Sequence, residues 1–69
     1  MSKYAPLWEA VSEHTEDGFQ MSFAEAESIL GFPIDHSFLN FKKELLDYGW
    51  RVGKISLKGQ TVSFLRSGN

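Results

Sequence analysis

The sequence predicts a single small α+β domain, and three of its features indicate this class. Residues 4–14 and 22–48 carry apolar side chains at the spacing of amphipathic helices. Residues 50–66 are rich in β-branched and aromatic residues on both sides of the turn Lys58-Gly59, which predicts a β-hairpin. With 69 residues the chain has the size of one domain, so we predict that residues 1–69 form one unit.

The first predicted element is a helix over residues 4–14. Pro6 lies near its first turn, where the missing amide has no cost, and Leu7 and Val11 share its apolar face. An acidic turn is predicted at residues 15–18. The alternation in residues 19–21 then predicts a very short strand, which needs a partner in the C-terminal hairpin.

Residues 22–31 contain the start and stop signals of a helix. Ser22 can cap the N-terminus, and Glu25, three residues later, can reach back to the Ser22 amide in a capping box. Gly31 ends the helix, because glycine readily adopts the left-handed conformation found just past a helix C-terminus. The connection over residues 32–34 contains Pro33, which disfavours helical geometry at Phe32.

A further helix is predicted over residues 36–48, with Asp35 as its cap and Gly49 at its end. At about 100° per residue, one face is apolar. Its members are Phe38, Phe41, Leu45 and Tyr48, with Leu39 and Leu46 beside them. The opposite face, which we call the polar stripe, consists of His36, Asn40, Lys43 and Asp47.

The first arm of the hairpin changes its side-chain parity midway. Trp50 and Val52 have one parity and Ile55 has the other, so we predict a one-residue bulge at Gly53 or Lys54. Ten aromatic residues compensate in part for the small size of the chain. The predicted aromatic core contains Trp8, Phe19, Phe23, Phe32, Phe38, Phe41, Trp50 and Phe64.

The predicted order of elements is helix, short strand, helix, helix, strand, strand. This is the order of a winged helix-turn-helix domain. In that arrangement the second helix of the central pair presents its outer face to a partner, and the hairpin forms the wing. The sequence therefore predicts a winged helix-like variety of the α+β class.

Several stretches of the chain match the sequence pattern of a known domain family. They are Tyr4-Ala5-Pro6-Leu7-Trp8, Ser22-Phe23-Ala24-Glu25-Ala26-Glu27-Ser28-Ile29-Leu30-Gly31, Ser37, Gly49-Trp50-Arg51-Val52 and Val62-Ser63-Phe64-Leu65-Arg66. Together they resemble a small bacterial domain family of unknown function. Members of that family carry a longer middle segment with a basic residue soon after the matched serine and a paired-tryptophan stretch, whereas here residues 38–43 follow Ser37 directly. The resemblance implies a bacterial source and no particular activity.

Charge is distributed unevenly along the chain, although the net charge is only −2. Residues 1–35 carry seven acids and one base, a net charge of −6, and residues 36–69 carry six bases and two acids, a net charge of +4. Such an asymmetry is typical of proteins that bind nucleic acid or another polyanion. The positive half coincides with the predicted second helix of the pair and the wing.

The composition excludes several kinds of protein. The chain has no cysteine, so it forms neither a disulfide framework nor a thiolate metal site, and an intracellular setting is favoured. No apolar run approaches the roughly 20 residues that span a bilayer, and the N-terminus lacks the regions of a signal peptide. We therefore expect a cytoplasmic protein with no membrane partner.

No group of residues indicates catalysis or metal binding. Asp35-His36-Ser37 contains the residue types of a hydrolase triad, but neighbours at a helix start point in different directions, so helix capping is the better interpretation. His14 and His36 have no histidine or carboxylate at the i+4 spacing of metal ligands. The sequence predicts a non-enzymatic protein that needs no cofactor or metal and acts by binding.

The polar stripe and the hairpin together predict an interface for double-stranded DNA. Asn40 can pair bidentately with adenine, Lys43 can contact guanine or phosphate, and Ser37 near the helix start can donate to a phosphate. Lys54 and Lys58 on the wing can hold the DNA backbone. These five residues are the predicted nucleic-acid-binding residues.

Two other interpretations of the same surface stay open. The stripe has the composition of an ordinary solvated helix face, and Glu44, Asp47 and a pI near 5.5 count against DNA. The alternative function is a protein-protein interaction or oligomerisation module with a protein partner or a second copy in a homodimer. A dimer would also suit DNA binding, because two-fold symmetric proteins match palindromic sites.

Overall fold

The computed structural model describes residues 2–67, and its elements confirm the α+β class. Helix α1 spans Ala5–Ser12, strand β1 Gly18–Ser22, helix α2 Phe23–Leu30 and helix α3 Ser37–Phe41. A 3₁₀ helix over Lys42–Tyr48, here called the 3₁₀ segment, continues from α3. Strands β2 and β3 span Trp50–Ser56 and Thr61–Arg66.

The three strands form one antiparallel sheet in the order β1-β3-β2. Phe19 lies opposite Phe64 and Met21 opposite Val62, so the short strand finds the partner that the sequence required. The pairing of β2 with β3 shifts register between Val52 and Ile55, which confirms the predicted bulge. The shift places both Val52 and Ile55 against the core.

The signals at the ends of α2 act largely as predicted. The Ser22 hydroxyl accepts a hydrogen bond from the Glu25 amide at 3.0 Å. Gly31 ends the helix with φ +84°, and its amide donates to the Glu27 carbonyl oxygen at 2.7 Å. Within residues 2–67 only this half of the predicted capping box forms, since the Glu25 carboxylate makes no return bond to the Ser22 amide.

The Ser22 cap is expected to make a measurable contribution to the free energy of unfolding. Ser22→Ala leaves the Glu25 amide without its partner and should lower the free energy of unfolding by about 1 kcal/mol. Denaturant unfolding of the two proteins measures this difference. Ser28→Ala on the exposed side of the same helix is the control and should cost nothing, because alanine has the better helix propensity. An equal midpoint for Ser22→Ala and the parent protein would contradict the cap.

The predicted α-helix over residues 36–48 is the main error of the sequence analysis. Regular α-helix ends at Phe41, and the chain then winds more tightly until Gly49, whose φ of +82° ends the segment as predicted. Asp35 makes the predicted capping hydrogen bond, because its carboxylate accepts from the Ser37 amide at 2.9 Å, although the assigned helix starts one residue later, with His36 at the formal cap position.

The predicted apolar face of residues 36–48 is buried only in part. A 3₁₀ helix turns about 120° per residue rather than about 100°, so a face drawn at α-helical spacing does not continue beyond Phe41. Phe38 and Leu45 are buried, whereas Phe41 and Tyr48 of the predicted apolar face are exposed. Leu39 and Leu46, predicted at the edge of that face, are 47% and 53% exposed.

The core lies between one face of the sheet and the helical elements, because α1, α2, α3 and the 3₁₀ segment each contribute buried side chains. Its buried members are Tyr4, Leu7, Trp8, Val11, Met21, Ala26, Phe38, Leu45, Trp50, Val62 and Phe64. Three further predicted core aromatics, Phe19, Phe23 and Phe32, are partly buried and pack against it. Phe41 is the exception, because it is 36% exposed where the sequence predicted a core residue.

Candidate binding surface

A chain of hydrogen bonds joins the start of α1 to the start of α3. The buried Tyr4 hydroxyl lies 2.6 Å from the Ser37 hydroxyl, which in turn donates to a carboxylate oxygen of Asp35 at 2.6 Å. The Ser37 amide donates to the same oxygen. Both donors of Ser37 are therefore occupied inside the protein, so the geometry does not favour the predicted phosphate contact of this residue.

The Asp35 carboxyl is an acid whose ionised form the fold stabilises. Hydrogen bonds from the Ser37 hydroxyl, and then from the Ser37 amide, hold its pKa below the ordinary value of 3.8. Because the folded state lowers the pKa, the unfolded chain binds more protons in acid. The stabilisation is complete above the unfolded pKa and is lost as the pH falls through the lower pKa of the folded state.

Removal of the Asp35 carboxyl should make the stability of the protein depend less on pH in acid. We expect Asp35→Asn to make the thermal midpoint less dependent on pH between about pH 5 and pH 2 than in the parent protein. The measurement is a series of melts at fixed ionic strength. Glu9→Gln, which changes an exposed acid on α1, is the matched control and should keep the parental slope. A full parental slope in Asp35→Asn would contradict the assignment.

Glu44 is turned away from the polar stripe and towards α1. Its carboxylate accepts a hydrogen bond from the Trp8 indole nitrogen at 3.0 Å and another from the Ser2 hydroxyl. These two bonds, the one from Ser2 first, lower the pKa of the Glu44 carboxyl from its ordinary value. An acid that the sequence analysis counted at the edge of the stripe is thus committed to contacts with the first helix.

Asp47 lies away from the polar stripe because the chain winds as a 3₁₀ helix between Lys43 and Asp47. Four residues of 3₁₀ helix advance by about 480°, against about 400° in an α-helix, so Asp47 lies about 120° around the axis from Lys43 instead of about 40°. Asp47 and Glu44 line a shared hollow of about 250 Å³ beside α1, together with Trp8 and Tyr48. Both acids of the segment therefore lie on the side that faces the first helix.

The four other predicted nucleic-acid-binding residues are exposed: Asn40, Lys43, Lys54 and Lys58. Among residues 2–67 the one close contact between a basic and an acidic side chain joins His14 to Glu16, so none of these lysines pairs with a carboxylate in the described part of the chain. The structure thus leaves the basic residues of the 36–48 segment and the hairpin available, and it moves the acids of that segment aside.

Arg66 differs from the lysines, because it is held at the end of the sheet. Its guanidinium lies 4.8 Å from the centre of the Trp50 ring. Its side chain also donates to the carbonyl oxygens of Glu16 and His14, at 3.3 and 3.2 Å. These contacts tie the end of β3 to the acidic turn after α1, so Arg66 has a structural role.

An apolar groove that the sequence analysis did not predict lies between α3, the start of α2 and the end of β2. Its volume is about 360 Å³. The apolar side chains that line it are Phe23, Ile34, Phe38, Leu39, Ile55 and Leu57, and Asp35 and His36 lie at its border. Leu57 is 78% exposed. The only sequence signal was a leucine placed directly before the turn of the hairpin, where a polar residue is usual.

Comparisons with known protein families, with curated proteins and with solved structures found no match to this chain. The resemblance to a bacterial family therefore stays a prediction from the residues quoted above. No helix within residues 2–67 is long and apolar enough to cross a membrane. The same residues contain no group of three or more histidine, aspartate or glutamate side chains placed to hold a metal ion.

Proposed function

We propose that this chain is a non-enzymatic, winged helix-like domain that binds double-stranded DNA through the 36–48 segment and the 50–66 hairpin. The proposal includes the bacterial source and the cytoplasmic setting predicted from the sequence. Asn40 contacts base edges from the end of α3, Lys43 contacts base or phosphate, and Lys54 and Lys58 contact phosphates from the wing.

The observation that carries this proposal is the rotation of Glu44 and Asp47. On a continuous α-helix both acids would stand on or near the polar stripe and repel phosphate. The 3₁₀ segment instead turns them towards α1, where Glu44 accepts hydrogen bonds from Trp8 and Ser2. The surface left on the outside carries Asn40 and Lys43 without a neighbouring acid from the same segment.

Charge reversal at Lys43 tests the role of the segment. Lys43→Glu removes a phosphate contact and adds a repulsion, so it should weaken duplex binding and reduce the slope of log K against log salt by about 0.9 for the lost contact. Lys3→Glu is the matched control, because it makes the same change in net charge at a lysine that lies over the Tyr4 and Phe32 rings. Equal losses in the two variants would contradict the proposal.

The second candidate function is a protein-interaction module. The observation that favours it is the apolar groove, since Leu39 and Leu57 are 47% and 78% exposed and lie in the 36–48 segment and the hairpin, which also carry the lysines. Contiguous exposed apolar surface is typical of sites that bind proteins. A binding function of either kind agrees with the absence of a predicted catalytic group.

A further inference from the structure

One face of the sheet, here called the outer face, points away from the helical elements and is open to solvent. Val52 and Ile55 pack against the core on the other face, so their chain neighbours Arg51 and Lys54 lie on the outer face. No residue of the outer face is buried. In β1 and β3 it consists of Gly18, Gln20, Ser22, Thr61, Ser63 and Leu65.

The outer face carries positive charge and no acid. None of the three strands contains an aspartate or glutamate, so all nine acids of the chain lie in the helical elements and the connections. Asp17, which directly precedes β1, lies at the opposite edge of the sheet from β2. Arg51 and Lys54 are exposed, and among residues 2–67 neither pairs with a carboxylate. The face is therefore cationic on a protein whose net charge is −2.

The outer face is also flat around Leu65. A β-carbon at Gly18 would lie 2.8 Å from the Leu65 Cδ2 atom, and one at Gly53 would lie 3.0 Å from its Cδ1 atom. The Leu65 side chain thus lies across two glycines, and a side chain at either position would displace it. Around it are short hydroxyl side chains such as Ser63, which can donate to phosphate oxygens. A phosphodiester chain can approach such a surface closely.

The spacing of the two cations suits a row of phosphates. Arg51 and Lys54 are three residues apart on an extended strand, which is at most about 10 Å. Each strand of a duplex carries one phosphate per about 3.4 Å of helix axis, so roughly three phosphates fall within that distance. A guanidinium group can hold phosphate oxygens bidentately. Strand β2 also packs against the 3₁₀ segment that carries Lys43, so the two basic surfaces adjoin.

We propose that the outer face of the sheet binds the phosphate backbone of double-stranded DNA, with Arg51 and Lys54 as the contacting cations. The inference rests on the proposed function and extends the interface from the 36–48 segment to the open side of the sheet. Arg51, which the sequence analysis did not single out, becomes a phosphate-binding residue.

Charge reversal at Arg51 is the test. Arg51→Glu should weaken duplex binding at 50 mM salt by about tenfold or more, and it should reduce the slope of log K against log salt by about 0.9, because one phosphate contact is lost. Lys3→Glu is the matched control, since it makes the same change in net charge at a residue outside the strands and should keep the parental affinity. Amide spectra verify that each variant is folded.

Methyl spectra of the parent protein locate the contact without a substitution. Addition of duplex should shift the methyl signals of Leu65, whose side chain lies on the outer face. The methyl signals of Val62, which is fully buried in the core on the other face of the sheet, should stay in place.

The possible failures are distinguishable. Equal affinities of Arg51→Glu and Lys3→Glu, or unshifted Leu65 methyl groups, would overturn this inference, and a loss of binding in Lys43→Glu would still leave the DNA proposal standing. Charged residues on an edge strand also hinder pairing with the sheet of another copy. Parental affinity together with self-association of Arg51→Glu would assign Arg51 to that role instead. Absence of duplex binding by the parent protein at 50 mM salt would overturn both proposals.

Discussion

Trp50→Ala is expected to lower the free energy of unfolding by about 3–5 kcal/mol, the usual cost of removing a large aromatic side chain from a core. Trp50 has no solvent exposure, and its ring lies 5.5 Å from that of Phe19. At about 0.05–0.15 kcal/mol per residue, a chain of 69 residues has little stability to spare. Denaturant unfolding should therefore show a variant that is close to unfolded in buffer.

Trp50→Phe provides the control for this change. The indole nitrogen of Trp50 is buried and has no hydrogen-bond partner among residues 2–67, so phenylalanine removes an unpaired donor while it retains an aromatic ring. The loss of stability should be clearly smaller than in Trp50→Ala. Unchanged stability of Trp50→Ala would show that the side chain is not part of the core, and the proposed packing of β2 would be wrong.

Leu45→Ala should cost about 2–5 kcal/mol, the second largest effect expected. Leu45 is fully buried and belongs to the 3₁₀ segment that packs against α1. Its loss leaves a cavity that the short segment has little freedom to close. Thermal and denaturant midpoints of the variant measure the effect.

Leu46→Ala is the neighbouring control, because Leu46 is 53% exposed. Its expected effect is within about 0.5 kcal/mol, as for most surface substitutions. The difference between the two adjacent leucines reports which side of the segment faces the core. If Leu46→Ala were the more destabilising change, the segment would be turned differently, and the placement of Glu44 and Asp47 beside α1 would be wrong as well.

The features that the sequence predicted well are those set by local chemistry. Ser22 caps α2 because a hydroxyl before a helix has an amide to accept, and Gly31 and Gly49 end their segments because both have positive φ. The bulge between Val52 and Ile55 was visible as a change of parity. Each of these signals needs only a few adjacent residues.

The features that the sequence did not predict depend on contacts between distant segments. The change from α to 3₁₀ winding at Lys42 accompanies hydrogen bonds from Ser2 and Trp8 to Glu44, residues about forty positions apart in the chain. Tyr4 was not among the predicted core aromatics, yet its buried ring lies 5.7–5.8 Å from four other aromatic rings. Periodicity along one helix cannot reveal such contacts.

The residues of the candidate binding surface also divide into those whose placement follows from local sequence and those whose placement depends on distant segments. Exposure of Asn40, Lys43 and Lys58 follows from polar residues at regular spacing and in a turn. The contact between the Ser37 and Tyr4 hydroxyls does not, because these two residues lie far apart in the chain. The apolar groove was also missed, since it forms only where α2, α3 and β2 meet.

The most direct test of the proposed function is duplex binding at several salt concentrations. Three exposed lysines of the 36–48 segment and the hairpin, Lys43, Lys54 and Lys58, can each contact a phosphate. Three such contacts predict a slope of about −2.7 for log K against log salt, or roughly a 40-fold loss of affinity between 50 and 200 mM salt. That slope, reduced by Lys43→Glu and by Lys58→Glu, is the expected result. Absence of duplex binding at 50 mM salt would contradict the proposal and leave protein recognition as the function of this surface.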